Sequence, residues 1–278
     1  MTESGYDPAE HYDRVTAAWR LLLGEELHYG VFNTGAEALP DATAELTRRM
    51  IEGARLESGV RVLDVGCGSG APACRLAAEF DVDVVGITTS IVGVETARAR
   101  AADAGLPGAT FEQRDGTDNG FADESFDRVW VLESSHLMRE REKLISECAR
   151  VLRPGGRMVL CDLIRHREIP FREVRDRRAD FVTLRTAFGD AHFEPLDFYT
   201  STAQAHGLTV DVAHDLTSAT LPTFDRWRAN AAAHRDEVVA GLGTDGHEAF
   251  VRSCDILEGF WRDGTFGYGL FAAQKPAG

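Results

Sequence analysis

Three groups of residues in this 278-residue chain have the types and spacing that chemistry requires. The first is Asp64-Val65-Gly66-Cys67-Gly68-Ser69-Gly70, a carboxylate followed by three alternating glycines. Glycines at that spacing let the backbone turn tightly and approach a ligand closely. The second is Glu133-Ser134-Ser135-His136, and the third is a single carboxylate, Asp162. A histidine and an aspartate converging beside a ligand make a base and its orienter, because an unperturbed imidazole titrates near ~6.5. A histidine among apolar neighbours is otherwise an ordinary structural residue, so the assignment of His136 rests on its place beside the glycine loop.

Regular elements must bring these groups together. β-Branched, apolar runs at Val60 to Val65, Val82 to Ile87, Ala109 to Gln113, Phe126 to Leu132 and Arg157 to Leu163 alternate with helical segments at 71–80, 90–104 and 140–152. Near-continuous apolar strands joined by helices predict a parallel sheet covered on both faces. Arg153-Pro154-Gly155-Gly156 stops the last of these helices. In such a sheet, ligands bind at the carboxyl ends of the strands, near the point where strand order reverses. The glycine loop, His136 and Asp162 all fall at that edge. Helices are also expected at 9–30 and at 40–55, with Asp41 as N-cap after Pro40. Beyond Leu163 the pattern predicts a helix at 166–187, a loop at 189–196, a strand at 208–214, helices near 222–240 and 245–262, and a strand at 266–274. The expected fold class is α/β: a doubly wound, seven-stranded, mostly parallel sheet with N-terminal helices and an inserted, partly helical cap. Its parts are an N-terminal helical lid (1–57), a cofactor-binding core (58–165), a substrate cap (166–206) and a stretch completing the sheet with C-terminal helices (207–278).

Gly66-x-Gly68-x-x-Ala71 also satisfies the dinucleotide pattern G-x-G-x-x-G/A, so the glycines alone leave a nicotinamide cofactor open. Asp64 two residues ahead of them, the third glycine at Gly70 and the lack of a recognisable nicotinamide site favour S-adenosylmethionine. Over about residues 60–165 the chain resembles the class I S-adenosylmethionine-dependent methyltransferases. Asp64 to Gly70 is similar to their first motif, and Gly86-Ile87-Thr88-Thr89-Ser90 ends the second strand. Arg114-Asp115-Gly116 stands where their adenine-contacting acidic residue sits, Phe126-Asp127-Arg128-Val129-Trp130 opens the fourth strand, and Leu152-Arg153-Pro154-Gly155-Gly156 is similar to the turn before the fifth. The resemblance implies a Rossmann-like fold. It also implies a cofactor held by Asp64, Gly66, Cys67, Gly68, Gly70, Thr88, Thr89, Asp115, Gly116, Glu133 and Ser134. One departure stands out: many relatives end the second strand in Asp or Glu to hold the ribose, where this chain has Thr88-Thr89.

The E-S-x-H segment and Asp162 are similar to a natural-product subgroup that includes sugar O-methyltransferases such as the rebeccamycin enzyme. The likeness extends more loosely to Asp215-Leu216-Thr217, Pro222-Thr223-Phe224 and Gly267-Tyr268-Gly269-Leu270, and fades over the cap. It implies His136 as general base, oriented or assisted by Asp162. Leu27-His28-Tyr29-Gly30 is similar to a stretch that relatives place over the cofactor, which makes His28 and Tyr29 expected cofactor neighbours. A helical lid with Tyr12 and Trp19 can close the site, or those two can be the apolar face of a packed helix. Together these features imply methyl transfer from S-adenosylmethionine to a small-molecule, secondary-metabolite acceptor, at a hydroxyl oxygen. C- or N-methylation of an isoprenoid or indole-like acceptor, a distant NAD-dependent oxidoreductase, and a protein that keeps the cofactor only as a structural element are the alternatives.

A net charge of −15 argues against nucleic acid and anionic membranes as partners. The basic run from Arg172 to Arg178 is interrupted by acidic residues and reads as a solvated helix face. Five scattered cysteines form no C-x-x-C pair and the histidines show no H-x-x-x-H spacing, so neither a disulfide framework nor a metal is expected. The polar start carries no leader signal and no apolar run reaches ~18 residues, which predicts a cytoplasmic protein. The N-terminal helix offers a face on which a second copy can pack as a homo-oligomer. Phe171, Phe181, Phe188, Phe193, Phe198 and Tyr199 either line an apolar acceptor pocket or form ordinary core.

Overall fold

The computed structural model describes residues 18–278. Tyr12, Val15 and most of the first expected helix lie outside the described residues; residues 18–23 are helical and carry Trp19, Leu22 and Leu23 into the core. Helix α1 (Leu39–Ala54) starts two residues before the expected Asp41 cap. Pro40 is tolerated in its first turn because the N–H it lacks would have no intrahelical partner. Leu39, Ala42, Leu46 and Met50 recur at helical spacing on its buried face.

The sheet is built from β1 (Arg61–Val65), β2 (Asp83–Thr88), β3 (Ala109–Gln113), β4 (Phe126–Leu132), β5 (Leu152–Arg165), β6 (Thr209–Asp215) and β7 (Phe266–Gln274). Its order is β3-β2-β1-β4-β5-β7-β6, and β7 runs antiparallel to both β5 and β6. Five parallel strands and a late antiparallel pair are thus as expected. Strand order reverses between β1 and β4, where Asp64 stands in register with Trp130. Strand β5 is longer than predicted: Leu152 already pairs with Phe126, and Arg153 to Gly156 form an irregularity inside the strand rather than a turn before it.

On one face lie α1, α2 (Ala71–Phe80) and α3 (Ile91–Asp103), whose buried residues join those of β1 and β2 in one cluster. The other face is covered by α4 (Arg141–Val151) and by α7 (Leu196–Ala205), which buries Tyr199 and Ala203 against Leu208 and Phe271. Helix α7 therefore packs on the sheet, although it falls in the stretch expected as cap. The segment over the cavity consists of α5 (Phe171–Asp176) and α6 (Arg178–Phe188), neither of which has a buried residue. Short α8 (Thr217–Thr220) and α9 (Thr223–Ala233) precede the long α10 (Arg235–Arg262), which is broken at Gly243, where φ is 75°. Phe181 meets Phe260 of α10 with ring centroids 5.7 Å apart, and Phe188 meets Phe250 at 5.8 Å. Among the described residues no helix is long and apolar enough to cross a membrane, and all five cysteines are unpaired and buried.

Candidate active site

The loop after β1 has its shape because of its glycines. Gly66 and Cys67 both donate to the carbonyl of Ile87, and Gly70, at φ 75°, begins α2. Gly66 sits at φ 80°, and a Cβ there would lie 2.2 Å from that of Ser134. Any side chain at Gly66 is thus excluded twice, by backbone strain and by space. Ser134 in turn donates to the carbonyl of Val65 at 2.8 Å, tying the loop to the end of β4. Asp64 is 2% exposed, and burial alone pushes its carboxyl up to about 7. Its Oδ2 has no hydrogen-bond partner among the described residues, and neither does Nε1 of the in-register Trp130.

Past β4 the chain turns through Glu133 at φ 45°, a left-handed conformation that costs a non-glycine residue of order ~1 kcal/mol or more. This turn swings Ser135 and His136 over the end of β5. There Asp162, fully buried, receives four donors. His136 Nδ1 (2.7 Å) and the Leu163 N–H (2.7 Å) reach Oδ1; Ser135 Oγ (2.5 Å) and the His136 N–H (3.1 Å) reach Oδ2. Ser135 also meets the Tyr199 hydroxyl at 2.9 Å, so α7 braces the pair from behind. Burial raises the Asp162 carboxyl, yet the His136 charge and these hydrogen bonds hold it below the usual carboxylate range. Burial likewise opposes protonation of His136, but Asp162 outweighs it and the imidazole titrates above its ordinary value. Because Nδ1 faces a carboxylate, the proton of the neutral ring sits on Nδ1. The lone pair is then on Nε2, which has no partner among the described residues.

A second histidine is placed differently. His28 points Nδ1 at the Tyr29 carbonyl (2.8 Å) and Nε2 at Glu26 (2.9 Å), two acceptors that require both ring nitrogens to donate. His28 is therefore held as the imidazolium, raised against the cost of burial by Glu26 and Glu133. Burial raises Glu26 too, but His28 and Arg75 bring its carboxyl down to about 2. The adjoining Tyr29 N–H and the Tyr268 hydroxyl both donate to Oε1 of Glu133. Burial still pushes Glu133 up to about 7 against the pull of His28 and Tyr268. The Tyr29 ring packs in an aromatic cluster, parallel to Trp261 at 5.5 Å and 4.7 Å from Trp227.

These groups line one cavity of about 1020 Å³. Its wall includes His28, Tyr29, Asp64, Gly66, Cys67, Gly68, Thr88, Thr89, Asp115, Gly116, Glu133, Ser134 and His136. Gly70 and Asp162 stand behind it, one starting a helix and the other holding His136. Asp115 is exposed and folds back onto Thr117 at 2.8 Å, fixing the turn that brings Gly116 beneath it. A Cβ on Gly116 would lie 2.5 Å from Val65, so only glycine fits there. Trp19, undecided from sequence, is on the wall and 6.0 Å from Phe188. Of the cap aromatics, Phe181, Phe188 and Phe193 line the cavity, Phe171 is 81% exposed, and Phe198 and Tyr199 lie with the sheet. Sequence reasoning missed Trp130, Leu163, Trp227 and Phe266 in the wall, and also Ser135, whose place inside E-S-S-H was the available signal. Among the described residues no group of three or more His, Cys, Asp or Glu is placed to hold a metal ion.

Comparison with known proteins decides the family. Residues 2–256 match the model of the mycolic acid cyclopropane synthetase family. The chain is 35% identical over 268 residues to 27-O-demethylrifamycin SV methyltransferase of Amycolatopsis mediterranei (strain S699), covering 95% of each protein. The chain belongs to this family of class I S-adenosylmethionine-dependent methyltransferases. Among solved structures, the (4+2)-cyclase SpnF superposes with a TM-score of 0.82 at 28% identity, covering 97% of this chain and 96% of the other. Mycolic acid cyclopropane synthase CmaA1 superposes with a TM-score of 0.85 at 22% identity, covering 99% of both, and shares the fold.

The methyltransferase is thus an enzyme of S-adenosylmethionine, and its residues fit that cofactor. A buried carboxylate oxygen and a buried indole N–H without partners suit a ligand that brings both a donor and an acceptor. The remaining wall, from Leu163 through the cap to Trp227, is mainly apolar.

Proposed function

We propose that this methyltransferase acts on a hydroxyl oxygen of a small secondary metabolite, with His136 as general base and Asp162 holding it. The observation that supports this most strongly is the His136 Nδ1–Asp162 contact at 2.7 Å, with Nε2 unpartnered on the wall shared with the glycine loop. S-adenosylmethionine, when bound, supplies a methyl carbon on a positively charged sulfur, the electrophile of an in-line displacement. Asp64, the Gly66–Gly68 backbone, Thr88, Thr89, Asp115 and Gly116 would hold it, with Glu133 and Tyr29 above. His136 Nε2 takes the acceptor's hydroxyl proton, and Asp162 stabilises the imidazolium so formed. The apolar cap excludes water, which strengthens the charge interactions inside. The 35% identity to a rifamycin O-methylating relative, over nearly the whole chain, supports oxygen as the methylated atom.

His136→Asn should lower kcat by ~10²–10⁴ while S-adenosylhomocysteine stabilises the variant as well as the wild type. A native rate in that variant would remove His136 from the role. A second reading comes from the likeness at 28% identity to SpnF, a (4+2)-cyclase: the cavity would hold one substrate for an intramolecular cyclisation. Product mass separates the two, since methylation adds a methyl group and cyclisation is isomeric.

A further inference from the structure

The run Arg172 to Arg178 is only partly a solvated face. Arg172 and Arg175 both pair with Asp176, and Arg177 pairs with Asp180 at 3.1 Å. Arg178 is the exception: it has no ion pair and no hydrogen bond among the described residues, and it lines the cavity. Arg178 is exposed, as is Arg235, which also has no ion pair among the described residues; what distinguishes Arg178 is its place on the cavity wall. The carboxylates on the same wall are already engaged. Asp190 accepts from Arg139 at 2.8 Å, Glu194 is shared by Arg141 and Arg165, and Glu168 pairs with Arg165.

Around Arg178 the wall combines apolar residues with one further cation, Arg185. Phe181, Val182, Arg185 and Phe188 follow it at the third, fourth, seventh and tenth positions, one face of α6 turned to the cavity. No residue of α5 or α6 is buried, and Val174 and Val182 are left 37% and 57% exposed. The cap helices therefore keep Phe181, Leu184 and Phe188 packed on the core but leave Val174 and Val182 open. At about 1020 Å³ the cavity is at the upper end for a single ligand of drug size. A cofactor takes part of it, and an acceptor under the cap would cover Val174 and Val182.

We propose that the acceptor half of the cavity takes an amphiphile with an apolar body and a terminal anion, a carboxylate or a phosphate, and that Arg178 pairs with that anion. The guanidinium presents a planar fork that matches either group with two parallel hydrogen bonds. This assignment rests on the methyl-transfer reading, which makes the cap half the acceptor's.

The test is calorimetric titration of the S-adenosylhomocysteine-loaded protein with dodecanoate, dodecyl phosphate and 1-dodecanol, all below their micellar concentrations. At least one anion should bind about tenfold more tightly than the alcohol, the size of one charge-assisted hydrogen bond. The preferred anion then identifies the group. Arg178→Gln should abolish that preference, whereas Arg235→Gln, at an arginine outside the cavity, should keep it. Equal binding of all three probes, or an anion preference that survives in Arg178→Gln, would overturn the proposal. Stabilisation by S-adenosylhomocysteine alone is the separate control: if it is present and the anion preference absent, only the Arg178 assignment fails.

Discussion

Asp162 accepts four hydrogen bonds, so its charge is firmly placed and His136 feels it at 2.7 Å. A base must be neutral, and Asp162 holds the His136 pKa above 6.5, so kcat/KM should rise with pH through that raised value. In Asp162→Asn the raising charge is gone and burial, which lowers the pKa, dominates. The acid limb of the profile should move below 6.5, with a large loss of rate. An unmoved limb would show that the pair does not control the reaction. Asp64 gives a second prediction. Its carboxyl titrates near 7 in the fold, well above the ordinary value of 3.8, so folding binds a proton between those values and stability falls as pH rises through that window. Asp64→Asn should therefore raise the melting temperature at pH 8, much less at pH 4, and weaken binding of S-adenosylhomocysteine at both. Melting curves at the two pH values check the first part, and titration checks the second. Asp64, His136 and Asp162 were legible because motif and strand position mark them. The doubly protonated state of His28 was not: its partner Glu26 is two residues away, but Thr47 and Arg75, which fix the Glu26 carboxylate, come from two separate helices.

At the scale of elements, the glycine loop and the turn after β4 form one unit. Gly66→Ala places a methyl 2.2 Å from Ser134 Cβ at a backbone angle that alanine resists, so it should lower stability and abolish cofactor binding. Adding Ser134→Gly clears the space but not the strain, and should restore binding only in part. Full restoration would mean that crowding alone matters. The cap offers a contrasting case. Helix α4 has six buried residues, whereas α5 and α6 have none, so amide exchange should be fastest at 171–188 and slow when an acceptor binds. Uniform exchange across α4 and α6 would contradict this. The strands at 109–113, 126–132 and 266–274 were legible as short apolar or aromatic runs between turns, and the break at Gly243 falls between the helices expected at 222–240 and 245–262. The early start of β5 was hidden because Pro154-Gly155-Gly156 reads as a turn, while the pairing of Leu152 with Phe126 depends on a neighbouring strand.

For the molecule as a whole, the alternation of strands and helices foretold a parallel sheet, and the reversal between β1 and β4 puts the cavity where such sheets bind ligands. The insertion of β7 between β5 and β6 was not written in any local pattern, because strand order is decided by which edges remain to be covered. The cavity of about 1020 Å³ joins the cofactor loop, His136 and the cap, so one ligand tests the whole arrangement. The most direct measurement is thermal unfolding of the wild type and His136→Asn with S-adenosylhomocysteine or with NAD, each at about a hundred times an expected Kd. A ligand that binds only the folded state at that ratio adds about 2.7 kcal/mol, or roughly 5–10 °C for a chain of this size. The predicted result is that shift with S-adenosylhomocysteine in both proteins and none with NAD. A shift with NAD and none with S-adenosylhomocysteine would contradict the account.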